Sequence, residues 1–477
     1  MKQERIARVD VRWIFIAALV VFSAAAAFLF WPRLYPLDDA YITLSNARVF
    51  LSGQPDSTYH TSYMTGATSP VHLLLVAIAS LVMPPLWGPL VIGLFGGALY
   101  LLALSRIADR EGLSGWLKWA VLTIGATTGF ALIHYLNGLE TSLAMAAPAW
   151  MLLWCDDRRK LPILAGLAPF IRPELGLLSA LLLLRLSLHS SFRENATMTL
   201  LTLFAAAPWA AWVFSETGQL IPSTIGAKLA WLHPPDVSFP IKLLVLCEAL
   251  LTSFQLPLMI GLVGLNKVPA GRFAGLFVFV GLAMATAIFP TMVGWNFARY
   301  QAIFIPLLAV GIASIAAERS RISNFVILGL CSWAICTAAL AMFDYVDEID
   351  YSRHARAKAR FVAGLPASSI ILIHDAGQVA WESPKARLID VVGLKSPQVV
   401  PIHEQLTKGE CKRIQSLARE TSAMHVVVLN RWAWPCVAHD LRKAGWGMKP
   451  IYKDLYHVYE LTPRRFDSSV AQTPSTS

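Results

Sequence analysis

Apolar runs of about 20 residues recur along the first 343 positions of this chain, the length an α-helix needs to cross roughly 30 Å of hydrocarbon. No single water-soluble core absorbs that much apolar sequence. Runs near 13–32, 88–106, 116–135, 139–155, 161–171, 174–187, 197–215, 241–264, 272–293, 299–317 and 322–343 read as about eleven membrane helices. Composition agrees: of 477 residues 56% are hydrophobic and 15% charged, against about 25% charged in soluble globular chains.

Lys2, Arg5, Arg8 and Arg12 precede the first run, and no small-residue cleavage site lies before Pro32, so this run is expected to stay as a membrane helix with a cytoplasmic amino terminus. Arg106 and Arg110, then Arg158, Arg159 and Lys160, then Arg185 and Arg193, then Lys267 and Arg272, then Arg319 and Arg321 occupy every second loop, as cytoplasmic loops should. The formal charge of +10 therefore reads as topology rather than as a basic face, and no nucleic-acid partner is expected. Val71–Met83 would break this alternation if it crossed; at about 13 residues it is expected to lie flat or re-entrant at the outer surface. The short runs 161–171 and 174–187, interrupted by Arg172-Pro173-Glu174, are expected to form a hairpin turning near the outer interface.

An odd number of crossings places everything after Phe343 outside. The expected organisation is mainly α: a polytopic transmembrane domain over 1–343, a small extracytoplasmic α/β domain over 344–462 with β-rich runs Ser369–His374 and His425–Leu429, and a Ser/Thr/Pro-rich disordered tail over 463–477. Cys411 and Cys436 fall in this outer domain, where a disulfide would persist. Cys155, Cys247, Cys331 and Cys336 lie in or beside apolar segments without CxxC or Cys/His spacing. No metal cluster and no cofactor is identified, and a requirement for a divalent metal is left open by the sequence.

The outer loops collect the unusual charges: Asp38, Asp39 and Arg48, then Glu140, Arg172, Glu174, Lys228 and Arg299. Adjacent carboxylates repel, so one of Asp38 and Asp39 can act as a general base unless a cation compensates; the plain alternative is that both cap the helix Ala40–Phe50. Arg172, Lys228 and Arg299 suit a phosphate, or else snorkel to lipid headgroups. Glu140 reads equally as a helix-start carboxylate and Glu174 as a partner for Arg172. Glu248, alone on an apolar helix, is expected to face a polar cavity. His60, His134 and His233 have no helix-spaced ligand partner and are expected to be surface or interface residues.

Leu37-Asp38-Asp39-Ala40-Tyr41-Ile42-Thr43, with Ala47-Arg48 and Thr68-Ser69-Pro70, resembles the first outer loop of the terminal arabinofuranosyltransferase-like family in the GT-C superfamily. Similar landmarks follow in order: Gly138-Leu139-Glu140, Arg172-Pro173-Glu174, Leu220-Ile221-Pro222 with Lys228, Arg299-Tyr300, Asp375-Ala376-Gly377 and Asp390-Val391-Val392-Gly393-Leu394. The sequence departs from the family pattern around Thr-Ser-Pro, with Thr65-Gly66-Ala67 before it and Val71-His72 after it, and around Leu-Pro, with Gln219 and Ser223.

The resemblance implies a GT-C-type fold and an inverting glycosyltransferase, hexosyl- or pentosyl-, in the bacterial inner membrane, acting on a cell-envelope glycan or glycolipid acceptor at the outer, periplasmic face. It implies a polyprenyl-phosphate sugar donor, Asp38 or Asp39 as base, Lys228, Arg172 and Arg299 as donor-phosphate partners, and Glu140, Glu174, Arg48 and Tyr41 as substrate-binding residues. Two other readings compete. A transporter or flippase of a lipid-linked or anionic precursor would share the many helices, but no internal repeat is visible and the polar residues favour one side. A non-catalytic assembly scaffold would tolerate replacement of Asp38 and Asp39.

Overall fold

The computed structural model describes residues 34–232, 238–253, 255–288, 295–404, 414–429, 439 and 441–462. The first membrane helix near 13–32, Cys411, Cys436, His233 and the tail 463–477 lie outside the described residues. Two compact units emerge: one takes the chain up to Gln54, Ser62–Pro222 and the stretch ending at Arg353; the other takes Pro55–Thr61, the helix Ser223–Leu232 and the chain from His354 onward.

The first unit is helical, and local chemistry sets the ends of its helices. The Ser69 hydroxyl accepts the His72 N–H at 3.1 Å, and Pro70 fills the first helical position, so Thr68-Ser69-Pro70 starts the helix Pro70–Val82. Its inner face, with Leu73, Val76 and Ala77, is buried, while Ile78, Leu81 and Val82 are exposed. Ser191 and Glu194 form a reciprocal capping box that opens Phe192–Thr217, and Gly218, at φ +68°, closes it.

Among the described residues four helices are long and apolar enough to cross a membrane: Pro85–Arg110, Phe192–Thr217, Asn296–Ala317 and Arg321–Ala363. The chain is a multi-pass membrane protein. Several expected spans are subdivided. The run 116–135 is two helices, Gly115–Thr127 and Ala131–Leu136, parted at Gly129 with φ +55°. The run 241–264 is bent by 104° between Phe239–Thr252 and Leu256–Leu265. Lys160–Ile171 and Leu175–Ser187 are separate helices of 12 and 13 residues, parted at the residue preceding Pro173. A hydropathy window averages over such breaks because apolar side chains continue through them. The last helix continues past the expected boundary at 343 to Ala363, and the division between compact units falls after Arg353.

The second unit is built on a five-stranded sheet in the order β2-β1-β3-β5-β4, comprising β1 (Ile370–Ile373), β2 (Arg387–Asp390), β3 (His425–Leu429), β4 (Gly447–Lys453) and β5 (Tyr456–Thr462). β1 pairs in parallel with β2 and β3; β5 pairs antiparallel with β3 and β4. β1 and the 426–429 part of β3 are continuous apolar runs buried on nearly all positions, as strands at the centre of a sheet require. β4 is an edge strand that carries Lys449, Pro450 and Lys453, with a register shift between Pro450 and Tyr452.

Asp375 and Asp390 stand at the carboxyl ends of β1 and β2. Burial alone would raise the Asp375 carboxyl, but His374 at 2.7 Å and Lys358 at 3.7 Å hold it well below the usual range. Asp390 accepts the backbone N–H groups of Val392 at 2.9 Å and Lys395 at 2.8 Å, closing a turn in which Gly393 has φ +94°. Within the same unit Lys395 pairs with Asp56 at 3.5 Å, the Leu388 N–H donates to the Thr58 carbonyl, and the Tyr59 hydroxyl donates to the Ala376 carbonyl at 2.6 Å. Burial pushes the Lys395 ammonium down to about 8, with Asp56 opposing.

Burial pushes the Asp390 carboxyl up to about 6 despite those backbone donors. An unfolded aspartate titrates near about 3.9, so ionising Asp390 opposes folding. Stability from this group is full below pH ~4 and falls as the pH rises through 6, by about 3 kcal/mol in all. Asp390→Asn is expected to remove that slope from the pH dependence of unfolding between pH 4 and 7. Superimposable slopes for the two proteins would show that Asp390 does not titrate in this way.

Candidate functional site

Asp38 and Asp39 are the first two residues of the helix Asp38–Ser52, whose N-cap Leu37 offers no side-chain cap. The helix therefore begins two residues earlier than Ala40, and both carboxylates lie at its positive end. Asp39 is also paired: its Oδ2 meets Arg299 Nη2 at 2.6 Å.

Arg299 follows Asn296, Phe297 and Ala298, with φ of +53°, +59° and +52°. Three successive non-glycine residues in the left-handed region cost about 1–2 kcal/mol each. Such strain persists only where surrounding contacts impose it, and it concentrates at functional sites. The segment delivers a guanidinium that is 5% exposed. That group lies over the Tyr300 ring, 5.2 Å from its centroid, and donates to the Tyr300 hydroxyl at 3.4 Å.

Arg172 ends the helix Lys160–Ile171 in extended conformation, as expected of a residue before proline. It is 1% exposed. Nη2 and Nε donate to Glu174 at 2.8 and 3.3 Å, and Nη1 lies 3.4 Å from Glu140 without hydrogen-bond geometry. Its guanidinium also lies 5.2 Å from the Tyr300 ring centroid. Asp39, Arg299, Tyr300, Arg172, Glu140 and Glu174 thus form one connected cluster inside the first unit. Two buried guanidinium groups share one aromatic ring, and each keeps a buried nitrogen, Arg172 Nη1 and Arg299 Nε, with no hydrogen-bond partner among the described residues.

Other candidates take different places. Tyr41 is buried, and its hydroxyl accepts the Tyr35 N–H at 2.9 Å, with the two rings edge to face. Arg48 lies nine residues after Asp39 on the same helix, about 13 Å along the axis. Lys228 stands on Ser223–Leu232 in the second unit. Glu248 is exposed rather than turned into a polar cavity, because the buried face of its helix is set by Ala249 and Leu250.

His60 is exposed, but His134 is wholly buried, contrary to its expected surface position. It lies on Ala131–Leu136, three residues before Asn137, and the electrostatic fields of Arg172 and Arg299 reach it. The sequence signal for His134 is weak: only its spacing to the Asn137–Glu140 landmark marks it.

Asp344, Asp347 and Glu348 line a cavity of about 390 Å³ with Leu37, Phe130, Asn296 and Phe297. Among the described residues no group of three or more His, Cys, Asp or Glu side chains is arranged to hold a metal ion.

No protein-family model and no curated protein matches the sequence. The structure does have known counterparts, and what it shares with them is the fold, of the GT-C type: a polytopic helical domain and a small mixed-sheet unit. ArnT from Cupriavidus metallidurans bound to undecaprenyl phosphate superposes with a TM-score of 0.61 at 12% identity, over 94% of this chain and 98% of that one. The apo form of the same protein gives a TM-score of 0.56 at 12% identity, over 93% and 98%.

Proposed function

We propose that this protein is an inverting glycosyltransferase that moves a sugar from a polyprenyl phosphate to a cell-envelope glycan or lipid acceptor at the outer face of the inner membrane. The observation that carries the reading is the pair of buried guanidinium groups, Arg172 and Arg299, one of them tied directly to Asp39 beside Asp38. A buried cation with an unpartnered N–H suits a phosphate oxygen, and two of them suit a leaving group that gains negative charge. The GT-C-type fold supports the reading, as does the undecaprenyl phosphate bound by the ArnT neighbour. Alternation of basic loops supports a cytoplasmic amino terminus and an outer α/β unit. The ordered landmarks from Leu37 to Leu394 favour an arabinofuranosyltransferase-like relative within that superfamily.

In the proposed reaction the carboxylate pair Asp38-Asp39 takes the proton of an acceptor hydroxyl. The hydroxyl oxygen attacks the anomeric carbon from the face opposite the phosphate. The carbon–oxygen bond to phosphate breaks, its electron pair leaves with the polyprenyl phosphate, and Arg299 and Arg172 stabilise the added charge. Glu174 and Glu140 keep Arg172 in place, and Tyr300 spaces the two guanidinium groups.

The test is binding of undecaprenyl phosphate to the full-length protein in lipid nanodiscs. Arg299→Gln is expected to weaken it about 10–100-fold, the worth of one or two hydrogen bonds to a charged group. Unchanged affinity in that variant, or no binding by the unmodified protein, would remove the phosphate site.

A further inference from the structure

Two of the basic loops expected on the cytoplasmic side meet in space and line a cavity of about 440 Å³ that the proposed reaction does not use. Arginines stitch these loops together. Arg185, in the last turn of the helix Leu175–Ser187, pairs with Asp156 at 2.8 Å and donates to the Cys155 carbonyl at 2.9 Å. Arg158 pairs with Glu194 and donates to the His189 carbonyl at 3.0 Å, while His189 Nδ1 donates to the Arg185 carbonyl at 3.1 Å. Asp157 accepts the N–H groups of Arg159 and Lys160 at 3.0 and 2.9 Å, at the start of the helix Lys160–Ile171, and pairs with the Lys160 ammonium at 3.3 Å.

The charges around the cavity do not balance. Asp156, Asp157 and Glu194 each have a cation of their own, in Arg185, Lys160 and Arg158. Arg159 lines the same cavity, and its guanidinium has no ion pair or hydrogen bond among the described residues. Leu184, Leu188 and Phe192, which flank this corner of the fold, are exposed, as side chains facing acyl chains are. A guanidinium without a counter-charge beside such residues suits the phosphodiester of a phospholipid. Free phosphate would use the guanidinium but not the apolar rim.

We propose that this cavity is a headgroup site for an anionic phospholipid, with Arg159 binding the phosphate and the ion pairs of Arg158 and Arg185 fixing the walls. One surplus positive charge matches the single negative charge of a phosphodiester such as that of phosphatidylglycerol. A zwitterionic headgroup would bring an ammonium beside that surplus cation. The site shares no residue with the Arg172–Arg299 cluster and does not depend on the reading of that cluster as a phosphate site.

Calorimetric titration of the full chain in nonionic detergent, with short-chain phosphatidylglycerol, short-chain phosphatidylcholine and inorganic phosphate as the three probes, checks the proposal. Phosphatidylglycerol is expected to bind most tightly, and Arg159→Gln to weaken it about 5–10-fold, the worth of one cation at a headgroup. Folding should be unaffected, since no described residue depends on that guanidinium. Arg193→Gln removes an exposed cation from the neighbouring helix start, outside the cavity, and should leave the affinity within about twofold. Equal losses in the two variants would mean attraction by net charge alone and would overturn the cavity site. Equally tight binding of inorganic phosphate or of phosphatidylcholine would overturn the anionic lipid as its ligand. Loss of phosphatidylglycerol binding in Arg299→Gln but not in Arg159→Gln would put the headgroup at the outer cluster instead, and no binding by the unmodified protein would remove this site while leaving the outer one untouched.

Discussion

Membranes carrying the Asp38→Asn/Asp39→Asn double variant are expected to transfer sugar from a polyprenyl-phosphate donor about 10²–10⁴-fold more slowly than membranes with the unmodified protein, the usual contribution of a general base. The two single variants should differ in kind. Asp39 commits one oxygen to Arg299 at 2.6 Å, so in the proposed mechanism it would serve both as a carboxylate near the acceptor and as the counter-charge of a buried cation. Asp39→Asn should therefore lower kcat and raise the donor KM together, since Arg299 loses the group that orients it. Asp38→Asn should act on kcat with little change in KM. Asparagine retains the size of the side chain, and the amino end of the helix tolerates it as a cap, so Asp38→Asn should fold as the unmodified protein does, whereas Asp39→Asn also leaves the buried Arg299 without its counter-charge and should lose stability. Retained turnover in both single variants and in the double variant would eliminate the carboxylate pair as the base.

Arg172 carries the second large effect, this time on stability. Arg172→Met strands Glu140, a carboxylate 7% exposed, without its cation. Breaking a buried pair from one side costs about 3–5 kcal/mol. Glu174, whose side chain is 42% exposed, returns to solvent at little cost. Replacing both partners, as Arg172→Met/Glu140→Leu, should recover most of the lost stability, because two apolar groups of similar volume need no counter-charge. Undecaprenyl phosphate binding should stay lost in the double variant, since the guanidinium is gone. Reversible unfolding in mixed micelles, run as a double-mutant cycle, measures the first effect and nanodisc binding the second. An Arg172→Met protein within about 1 kcal/mol of the unmodified one would mean that the Arg172–Glu140 contact is not a buried ion pair in solution.

Much of the charged cluster that forms the candidate site was legible because membrane sequences make polar residues conspicuous. Asp38-Asp39, Arg172-Pro173-Glu174 and Arg299-Tyr300 interrupt or flank apolar runs where charge is expensive, and each marks a place where the backbone also changes. Proline after Arg172 foretold the end of its helix. Left-handed backbone at Asn296–Ala298 was not foretold, because none of these residues is glycine and nothing in their order demands that conformation. His134 was misplaced for a related reason. A lone histidine near a span end looks interfacial, and only the path of the chain from Ala131 to Glu140 takes it inside. In the α/β unit β1 and β3 were visible as short apolar runs, whereas β2, Arg387-Leu388-Ile389-Asp390, has only two apolar residues between charges and β4 is a polar edge strand, so neither has a pattern of its own.

The sequence by itself determined that this chain lives in a bilayer and is mainly helical, that its charges gather at loops and helix ends, and that a smaller α/β unit follows the apolar part. Those conclusions depend on hydropathy and local backbone preference, which neighbouring residues carry. Tertiary structure decided which charges meet: Asp39 with Arg299 across 260 positions, and Arg172 with Glu140 and Tyr300 from three separate segments. Ion pairing and burial depend on distances in space between residues far apart in the chain, and no local pattern encodes those distances.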